Sequence, residues 1–262
     1  MAASDGPQGL RGWIVTACLA SAPLVDKYRP RTLADIRGQD DAVKALRLFL
    51  ESPTSRGFIF EGATGTGKTS AAFALARELG VDLENDEFGG LHTVASGEQT
   101  AETVRNLVRC LSYWPMTGSG WRVAIVNEAD IITPGAAHCW LDVLENLPNR
   151  TVVVFTTNNV QTMPTRFRDR CEVVSFASSY MLLKEQADAF ITEIWQRETG
   201  GTETPRLDDL TGVVEDGEVS FRRLLQKLQP YVRAGKAPES VAPAVAAAKR
   251  AWETRRKNGG KS

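Results

Sequence analysis

Hydrophobic positions in the first two thirds of the chain follow two alternating patterns. Short apolar runs at "GFIFEG" (57–62), "RVAIV" (122–126) and "TVVVF" (151–155) predict buried strands. The segment Thr69–Leu79 consists of strong helix formers. Apolar residues at helical spacing predict further helices at Val43, Leu46 and Leu50, at Val104, Leu107, Val108 and Leu111, and at Ala137, Trp140, Leu141 and Leu144. Alternating strands and helices predict an α/β domain whose mostly parallel sheet is covered by helices on both faces.

The strand signals end near Phe176. Beyond it, "YMLLKEQADAFITEIWQRE" has a helical pattern, and a last apolar stripe contains Phe221, Leu224, Leu225 and Leu228. We therefore predict a small all-helical second domain. The predicted division is an N-terminal extension (1–24), the α/β domain (25–176), the helical domain (177–235) and an Ala-rich, basic tail (236–262). The tail is predicted to be a helix whose end frays into solvent. The alternative is that it makes an electrostatic contact with nucleic acid.

Composition narrows the class of protein. Hydrophobic residues make up 42% and charged residues 24%, as in ordinary globular proteins, and the formal net charge of −1 excludes a global basic field for nucleic acid. The four cysteines lie far apart without a C-x-x-C pair, which argues against a zinc site or a disulfide framework. The N-terminal run "GWIVTACLASA" loosely resembles a secretory signal, but a short helix or strand is the preferred interpretation. No segment reaches the ~20 apolar residues of a membrane span.

The stretch "GATGTGKT" (62–69) fills every specified position of the phosphate-loop pattern G-x-x-x-x-G-K-[ST]. It lies between a predicted strand and a predicted helix, so backbone N–H groups and a helix N-terminus can surround a phosphate. Lys68 would reach the β- and γ-phosphates of ATP, and the Thr69 hydroxyl would hold Mg²⁺. We predict that ATP contacts this loop at Gly62, Ala63, Thr64, Gly65, Thr66, Gly67, Lys68, Thr69 and Ser70. An ATP site also favours a cytoplasmic protein.

Two later strands end in polar residues that suit ATP hydrolysis. In "RVAIVNEAD" (122–130), Glu128 is the candidate that polarises the attacking water, and Asn127 stands where such strands usually end in aspartate. We place Asn127 and Glu128 with Thr69 on the metal side. The strand ending in "TTNN" offers Thr157 and Asn158 as γ-phosphate sensors, with ordinary strand-end capping as the alternative.

Several segments together resemble clamp-loader AAA+ ATPases of the replication factor C small-subunit type. They are "DKYRPRTLADIRGQDDAVKAL", "GATGTGKTS", "VAIVNEADIIT", "VVVFTTNN", "PTRFRDRC" and "FRRLL", which appear in the family's order from about Val25 to Leu228. The resemblance implies a P-loop AAA+ core with a helical lid. It also implies an adenine pocket framed by Tyr28, Arg29, Pro30, Gly38 and Gln39.

The resemblance assigns roles to two arginines. Arg170, in "RDRC", matches the arginine finger that acts in trans on the ATP of a neighbouring subunit. Arg222 matches the lid arginine that contacts the same phosphate in cis, with Arg223 as the competing choice. A finger in trans implies a homo- or hetero-oligomeric ring or spiral. The family's targets are primer–template DNA and a sliding clamp, and Arg105 and Arg109 are either DNA contacts or a solvated helix face.

The sequence also departs from the family pattern. Asn127 replaces aspartate, which we expect to slow hydrolysis without abolishing ATP binding. Ala137 occupies a position where the family often has a glutamine, and Asp169 precedes Arg170 and is expected to tie up part of the finger. The family's collar domain has no counterpart after Leu228, so we expect that the chain cannot build a collar alone.

Three functions therefore stay open. They are a clamp-loader ATPase subunit, a non-hydrolysing AAA+ scaffold, and an AAA+ regulator of a phage or mobile-element system that acts on DNA but loads no clamp.

Overall fold

The computed structural model describes residues 22–85 and 89–238. The apolar run before Ala22 and nearly all of the basic tail lie outside these residues. The helices are α1 (Leu24–Lys27), α2 (Asp40–Glu51), α3 (Lys68–Glu78), α4 (Ala101–Ser112), α5 (Pro134–Glu145), α6 (Thr165–Arg168), α7 (Tyr180–Thr199) and α8 (Phe221–Ala234). The strands are β1 (Arg56–Glu61), β2 (Leu91–Val94), β3 (Arg122–Val126), β4 (Thr151–Thr157), β5 (Cys171–Ser175), β6 (Val214–Glu215) and β7 (Glu218–Val219).

A five-stranded sheet in the order β2-β3-β4-β1-β5 forms the centre of the larger domain, and all of its pairings are parallel. This confirms the predicted α/β class. In the register of the central strands, Glu61 lies opposite Thr157, and Val126 lies opposite Phe155. The carboxyl ends of β1, β3 and β4 therefore meet at one edge, where ligands usually bind in such sheets.

The sequence pattern did not predict the two edge strands. β2 and β5 have mostly half-buried or exposed positions, whereas every residue of β3 and β4 is buried. An edge strand of four or five residues with this exposure has no continuous apolar run to identify it.

Alternate residues of the central strands supply two separate cores. Phe58 and Phe60 point to the face covered by α2 and α3, while Ile59 and Phe155 point to the face covered by α4 and α5. On the second face, Trp140 is fully buried with its ring edge-on to Phe155 at 5.0 Å between centroids. The sheet is thus covered on both faces, as predicted.

The second domain is mainly helical but also contains a short hairpin. Helices α7 and α8 share a core with Leu24 of α1, whose backbone N–H donates to Gln229 Oε1 at 2.6 Å. The antiparallel pair β6–β7 adds a hairpin that was not predicted. Its turn residues, Asp216 and Gly217, both have positive φ (50° and 80°), as a type I′ turn requires. The Asp-Gly pair was therefore the sequence signal for this hairpin.

The two domains are joined by contacts from the segment before α2. The buried side-chain amide of Gln39 donates to the carbonyl of Ala177 at 2.8 Å and accepts from its N–H at 2.7 Å. Gly38 has φ +67°, and a Cβ there would lie 2.6 Å from Leu183 Cδ2 of α7. These contacts fix where the helical domain sits above the sheet edge. Across the two described ranges, no helix is both long and apolar enough to cross a membrane.

Replacing Gln39 with methionine should lower stability by about 1–3 kcal/mol, because both backbone groups of Ala177 would lose a partner. Urea unfolding measures the change. Gln226→Met, at an exposed position of α8, is the matched control and should stay near wild type. Equal midpoints for both variants would contradict the role of Gln39 as a domain contact.

Candidate functional site

The loop between β1 and α3 has the backbone conformation of a phosphate-binding loop. Gly62, Gly65 and Gly67 have φ values of 147°, 85° and 103°, which residues with a Cβ rarely adopt. A Cβ on Gly67 would meet no atom within 4 Å, so this part of the loop faces open space. The Thr66 hydroxyl donates to the Ala63 carbonyl at 2.9 Å and closes the loop.

Lys68 begins α3 and is 9% exposed. Its amine donates to the carbonyls of Gly62 (2.6 Å) and Ala63 (2.9 Å) and to Asn158 Oδ1 (3.1 Å). Within residues 22–85 and 89–238, no carboxylate forms an ion pair with it. Burial, helped by the charge of Arg222, lowers the pKa of Lys68 to about 8, against opposing effects of Asp130 and Glu128. A buried amine without an anion partner fits a site for phosphate.

Thr69 and Asn127 form the side of the site that suits a metal ion. The Thr69 hydroxyl donates to Asn127 Oδ1 at 3.2 Å, and Asn127 Nδ2 donates to the Val94 carbonyl at 3.5 Å. The described part of the chain contains no group of three His, Cys, Asp or Glu residues placed to hold a metal. The pair fits Mg²⁺, which keeps several water ligands and takes others from substrate phosphates, with few from protein.

Glu128 occupies a strained turn directly after β3. Its φ and ψ are 53° and 56°, a left-handed conformation that is costly outside glycine. The buried Gln99 amide donates to the carbonyls of Asn127 and Glu128, and the Glu128 N–H donates to Thr156 Oγ1 at 3.2 Å. The Glu128 carboxylate accepts a hydrogen bond from Ser96. Gln99 precedes Asn127 by 28 positions and Glu128 by 29 positions in the sequence, so no local pattern could predict this contact.

The structure separates the two sensor candidates at the end of β4. Asn158 Oδ1 accepts hydrogen bonds from Lys68 and from the Thr64 hydroxyl, the latter at 3.4 Å. It therefore lies in the cleft above the phosphate loop, here called the phosphate cleft, whose lining also includes Thr69, Glu128 and Arg222. Thr157 also borders the cleft, but its buried hydroxyl bonds the backbone of Asn159. Thr157 therefore caps the strand end, while Asn158 is placed to contact a phosphate.

A second cleft adjoins the phosphate cleft. The two share Gly65, Gly67, Ser70 and Arg222 and so form one continuous site. The second cleft has a polar and an apolar part. Its lining includes Tyr28, Arg29, Pro30, Ile36, Phe190, Phe221 and Leu225.

The predicted base-binding residues divide between two places. Tyr28, Arg29 and Pro30 line the second cleft, whereas Gly38 and Gln39 lie at the domain junction described above. The Tyr28 hydroxyl donates to Glu198 Oε1 at 2.6 Å, and burial together with this bond raises the pKa of Tyr28 above its usual value. Sequence reasoning missed the apolar contributors from the helical domain, Phe190, Phe221 and Leu225. Their spacing identified a core stripe and could not show which members border a cleft.

Arg222 and Arg223 are distinguished by their surroundings. Arg222 lines both clefts, and its charge acts on Lys68. Arg223 forms an ion pair with Glu215 of the hairpin. Arg222 therefore lines the clefts next to Lys68 and Tyr28, whereas Arg223 borders a separate pocket on the other side of Ala63 and Thr64.

Arg170 lies outside both clefts. Its Nε donates to Glu145 Oε1 at 3.0 Å, its Nη2 contacts the same oxygen, and its Nη1 donates to the Arg166 carbonyl at 3.0 Å. We expected Asp169 to tie up Arg170; that expectation was wrong, because the carboxylate that binds it is Glu145, at the end of α5. Two other predicted positions, Arg105 and Arg109, are exposed on α4.

Several known proteins are similar to this chain in sequence. Residues 82–179 match a family model described as DNA polymerase III, delta subunit. Replication factor C small subunits from Halobacterium salinarum and Archaeoglobus fulgidus are each 29% identical to this chain, over 205 and 206 residues. Both alignments cover 78% of this chain and 61% and 62% of the relatives, so the chain spans about three fifths of their length. A replication factor C large subunit from Pyrococcus abyssi is 25% identical over 223 residues, covering 83% of this chain and 43% of the relative.

Solved structures show the same fold. Thermotoga maritima RuvB, a Holliday junction branch migration motor, has a TM-score of 0.52 at 17% identity and covers 66% of this chain and 54% of its own. A mutant of the same protein has a TM-score of 0.57 at 17% identity, covering 79% and 66%.

The strand order, the phosphate loop after β1 and the helical lid define a P-loop protein with the AAA+ fold. Within that class the chain is similar to replication factor C subunits over most of its length, and to the delta-subunit model over residues 82–179.

When the protein binds a nucleoside triphosphate near pH 8, the Lys68 amine should take up a proton. The free site holds the pKa of Lys68 at about 8, and a bound phosphate would raise that pKa because it favours the charged amine. Affinity should therefore be constant below pH 8 and fall as the pH rises above it. Calorimetry at pH 8 in two buffers of different ionisation enthalpy measures the uptake. Lys68→Arg, which stays charged, should show none; the same uptake in both proteins would contradict the assignment.

Proposed function

We propose that this chain is an AAA+ ATPase subunit of clamp-loader type. It binds ATP with Mg²⁺, assembles into an oligomeric ring or spiral, and couples ATP hydrolysis to DNA and sliding-clamp transactions in replication or repair. The observation that carries the proposal is the buried Lys68 amine, which has no ion-pair partner among the described residues and faces the cleft shared with Asn158 and Arg222.

The residues around the two clefts have different roles in binding and hydrolysing ATP. The phosphate loop, Lys68 and Arg222 bind and orient the phosphates, and the second cleft receives the base against Tyr28 and Phe190. Thr69 and Asn127 would hold Mg²⁺, which supplies positive charge against the phosphates. Glu128 orients a water molecule for attack, and Asn158 senses the γ-phosphate.

The position of Arg170 supports a site shared between protomers. It is absent from the lining of both clefts, as expected for a guanidinium that serves the ATP of a neighbouring protomer. An arginine finger in trans makes turnover depend on assembly. The similarity to replication factor C subunits supports DNA and a sliding clamp as partners, with Arg105 and Arg109 on α4 as candidate phosphate contacts.

One observation favours a second candidate, an AAA+ scaffold or regulator of a phage or mobile-element system that turns over slowly or not at all. Asn127 gives Thr69 a neutral oxygen where a carboxylate would carry charge. A weaker hold on Mg²⁺ slows the chemistry while ATP binding, which depends on the phosphate loop, continues.

ATP turnover with and without primer–template DNA, together with the mass of the assembly, tests the proposal. Turnover that DNA stimulates in an oligomer is the expected result. ATP binding without turnover would support the scaffold, and failure to bind ATP would overturn both candidates.

Substituting Arg170 with alanine should leave ATP affinity within about two-fold of wild type but lower turnover in the assembly by about 10³-fold or more, the size of known arginine-finger effects. Filter binding and phosphate release measure the two quantities. The control is Arg166→Ala, which removes an exposed arginine from α6, the short helix before Arg170, and keeps the carbonyl that binds Arg170. Wild-type turnover in Arg170→Ala would remove it as the finger.

Asn127→Asp should restore a negative charge beside the Thr69 hydroxyl. At limiting Mg²⁺ we expect turnover to rise by about 10–100-fold, as for a partner that supports a metal ion. Asn146→Asp adds the same charge after α5 and should have little effect. An unchanged Mg²⁺ dependence in Asn127→Asp would show that this position does not influence the metal.

A further inference from the structure

We propose that Glu145 is a positioning residue for Arg170: it holds the guanidinium in the orientation in which it reaches the ATP of the neighbouring protomer. The inference rests on the proposed function, because it takes Arg170 to be the arginine finger. Glu145 lines neither cleft of its own chain, so it is not placed to contact the ATP that its own chain binds.

Three hydrogen bonds hold the Arg170 guanidinium. Glu145 Oε1 accepts from both Nε and Nη2, and the Arg166 carbonyl accepts from Nη1 on the other side. A guanidinium has five N–H groups, of which these contacts use three. One N–H on each terminal nitrogen is left for acceptors outside the protomer. Two N–H groups in a fixed plane match the geometry of two phosphate oxygens.

The supports of the finger come from rigid parts of the fold. Glu145 is the last residue of α5, whose Trp140 and Leu144 are buried against the sheet. Arg170 immediately precedes β5, which pairs with β1, the strand that leads into the phosphate loop. The Glu145–Arg170 contact thus links the finger to the core that carries the chain's own site. Fixing a long side chain before assembly removes an entropic cost that would otherwise fall on the reaction step.

A contribution to folding stability explains the Glu145–Arg170 ion pair less well than positioning of the guanidinium does. The side chains of Glu145 and Arg170 are 51% and 30% exposed, and pairs with this exposure contribute little to folding. Loss of Glu145 should therefore leave the thermal midpoint unchanged and appear in turnover.

The experiment mixes two variants so that only one kind of interface is active. A donor protomer carries Lys68→Ala and an intact finger, while an acceptor carries Arg170→Ala and an intact ATP site. Their mixture should regain turnover that neither shows alone. Adding Glu145→Ala to the donor should lower kcat of the mixture by about 10–100-fold with KM unchanged, as expected for a misplaced catalytic group. Glu145→Gln keeps an oxygen acceptor and should recover most of kcat.

Two matched variants separate positioning from general damage. Asp142→Ala removes an exposed carboxylate one turn earlier on α5 and, in the donor, should not change kcat. Glu145→Ala in the acceptor should cause no further loss, because its partner Arg170 is already absent there. Equal losses from donor and acceptor placements, or a kcat unchanged by Glu145→Ala in the donor, would overturn the inference while leaving the finger intact. If the donor and acceptor fail to restore turnover, the trans assignment of Arg170 fails and the inference fails with it.

Discussion

The rest of the site depends on the buried charge of Lys68, for which residues 22–85 and 89–238 provide no ion-pair partner. Its amine is held by two carbonyls of the phosphate loop and by Asn158 at the end of β4. Taking a cation out of water without an anion is costly, and the lowered pKa of Lys68 reflects this. A phosphate would supply the missing negative charge. The surroundings of Lys68 therefore favour binding of an anion. The parallel sheet makes this possible, because β1 and β4 end side by side at the same edge.

The proposed catalytic groups lie at two separate places in the chain. Glu128, Asn158 and Arg222 surround the cleft of their own chain, while Arg170 is held at a separate place by Glu145. The helical domain also contacts the phosphate loop, because Gly65 lies against Ser220 and Arg222 at the start of α8. A Cβ on Gly65 would lie 2.1 Å from Ser220 Oγ, which shows how closely the lid approaches the loop.

The parts of the fold that local chemistry determines were predictable from the sequence. Continuous apolar runs identified β1, β3 and β4, and the glycine pattern identified the phosphate loop. The edge strands β2 and β5 were missed because half of their surface is open and no apolar run marks them. The choice between Arg222 and Arg223 depended on which helical position faces the cleft, and neighbouring residues of a helix differ by about 100°.

Contacts between distant segments were beyond the sequence pattern. Gln99 supports the strained turn of Glu128, and Glu145 binds Arg170 across 25 residues. Asp169 lies next to Arg170 in sequence, which made it the expected partner, but the carboxylate that α5 brings to the guanidinium is Glu145. Gly38 and Gln39 were expected at the base and instead join the two domains. Motifs thus identified most residues of the cleft, while the tertiary fold decides which supporting residues hold them.

The central claim is that one protomer alone cannot complete the catalytic site. ATP turnover per protomer, measured over a range of protein concentrations alongside the mass of the assembly, tests it most directly. Turnover per protomer should be negligible where the protein is monomeric and should rise in parallel with assembly, because only assembly would bring Arg170 to a neighbour's ATP. Full turnover per protomer at concentrations where the protein is monomeric would contradict it.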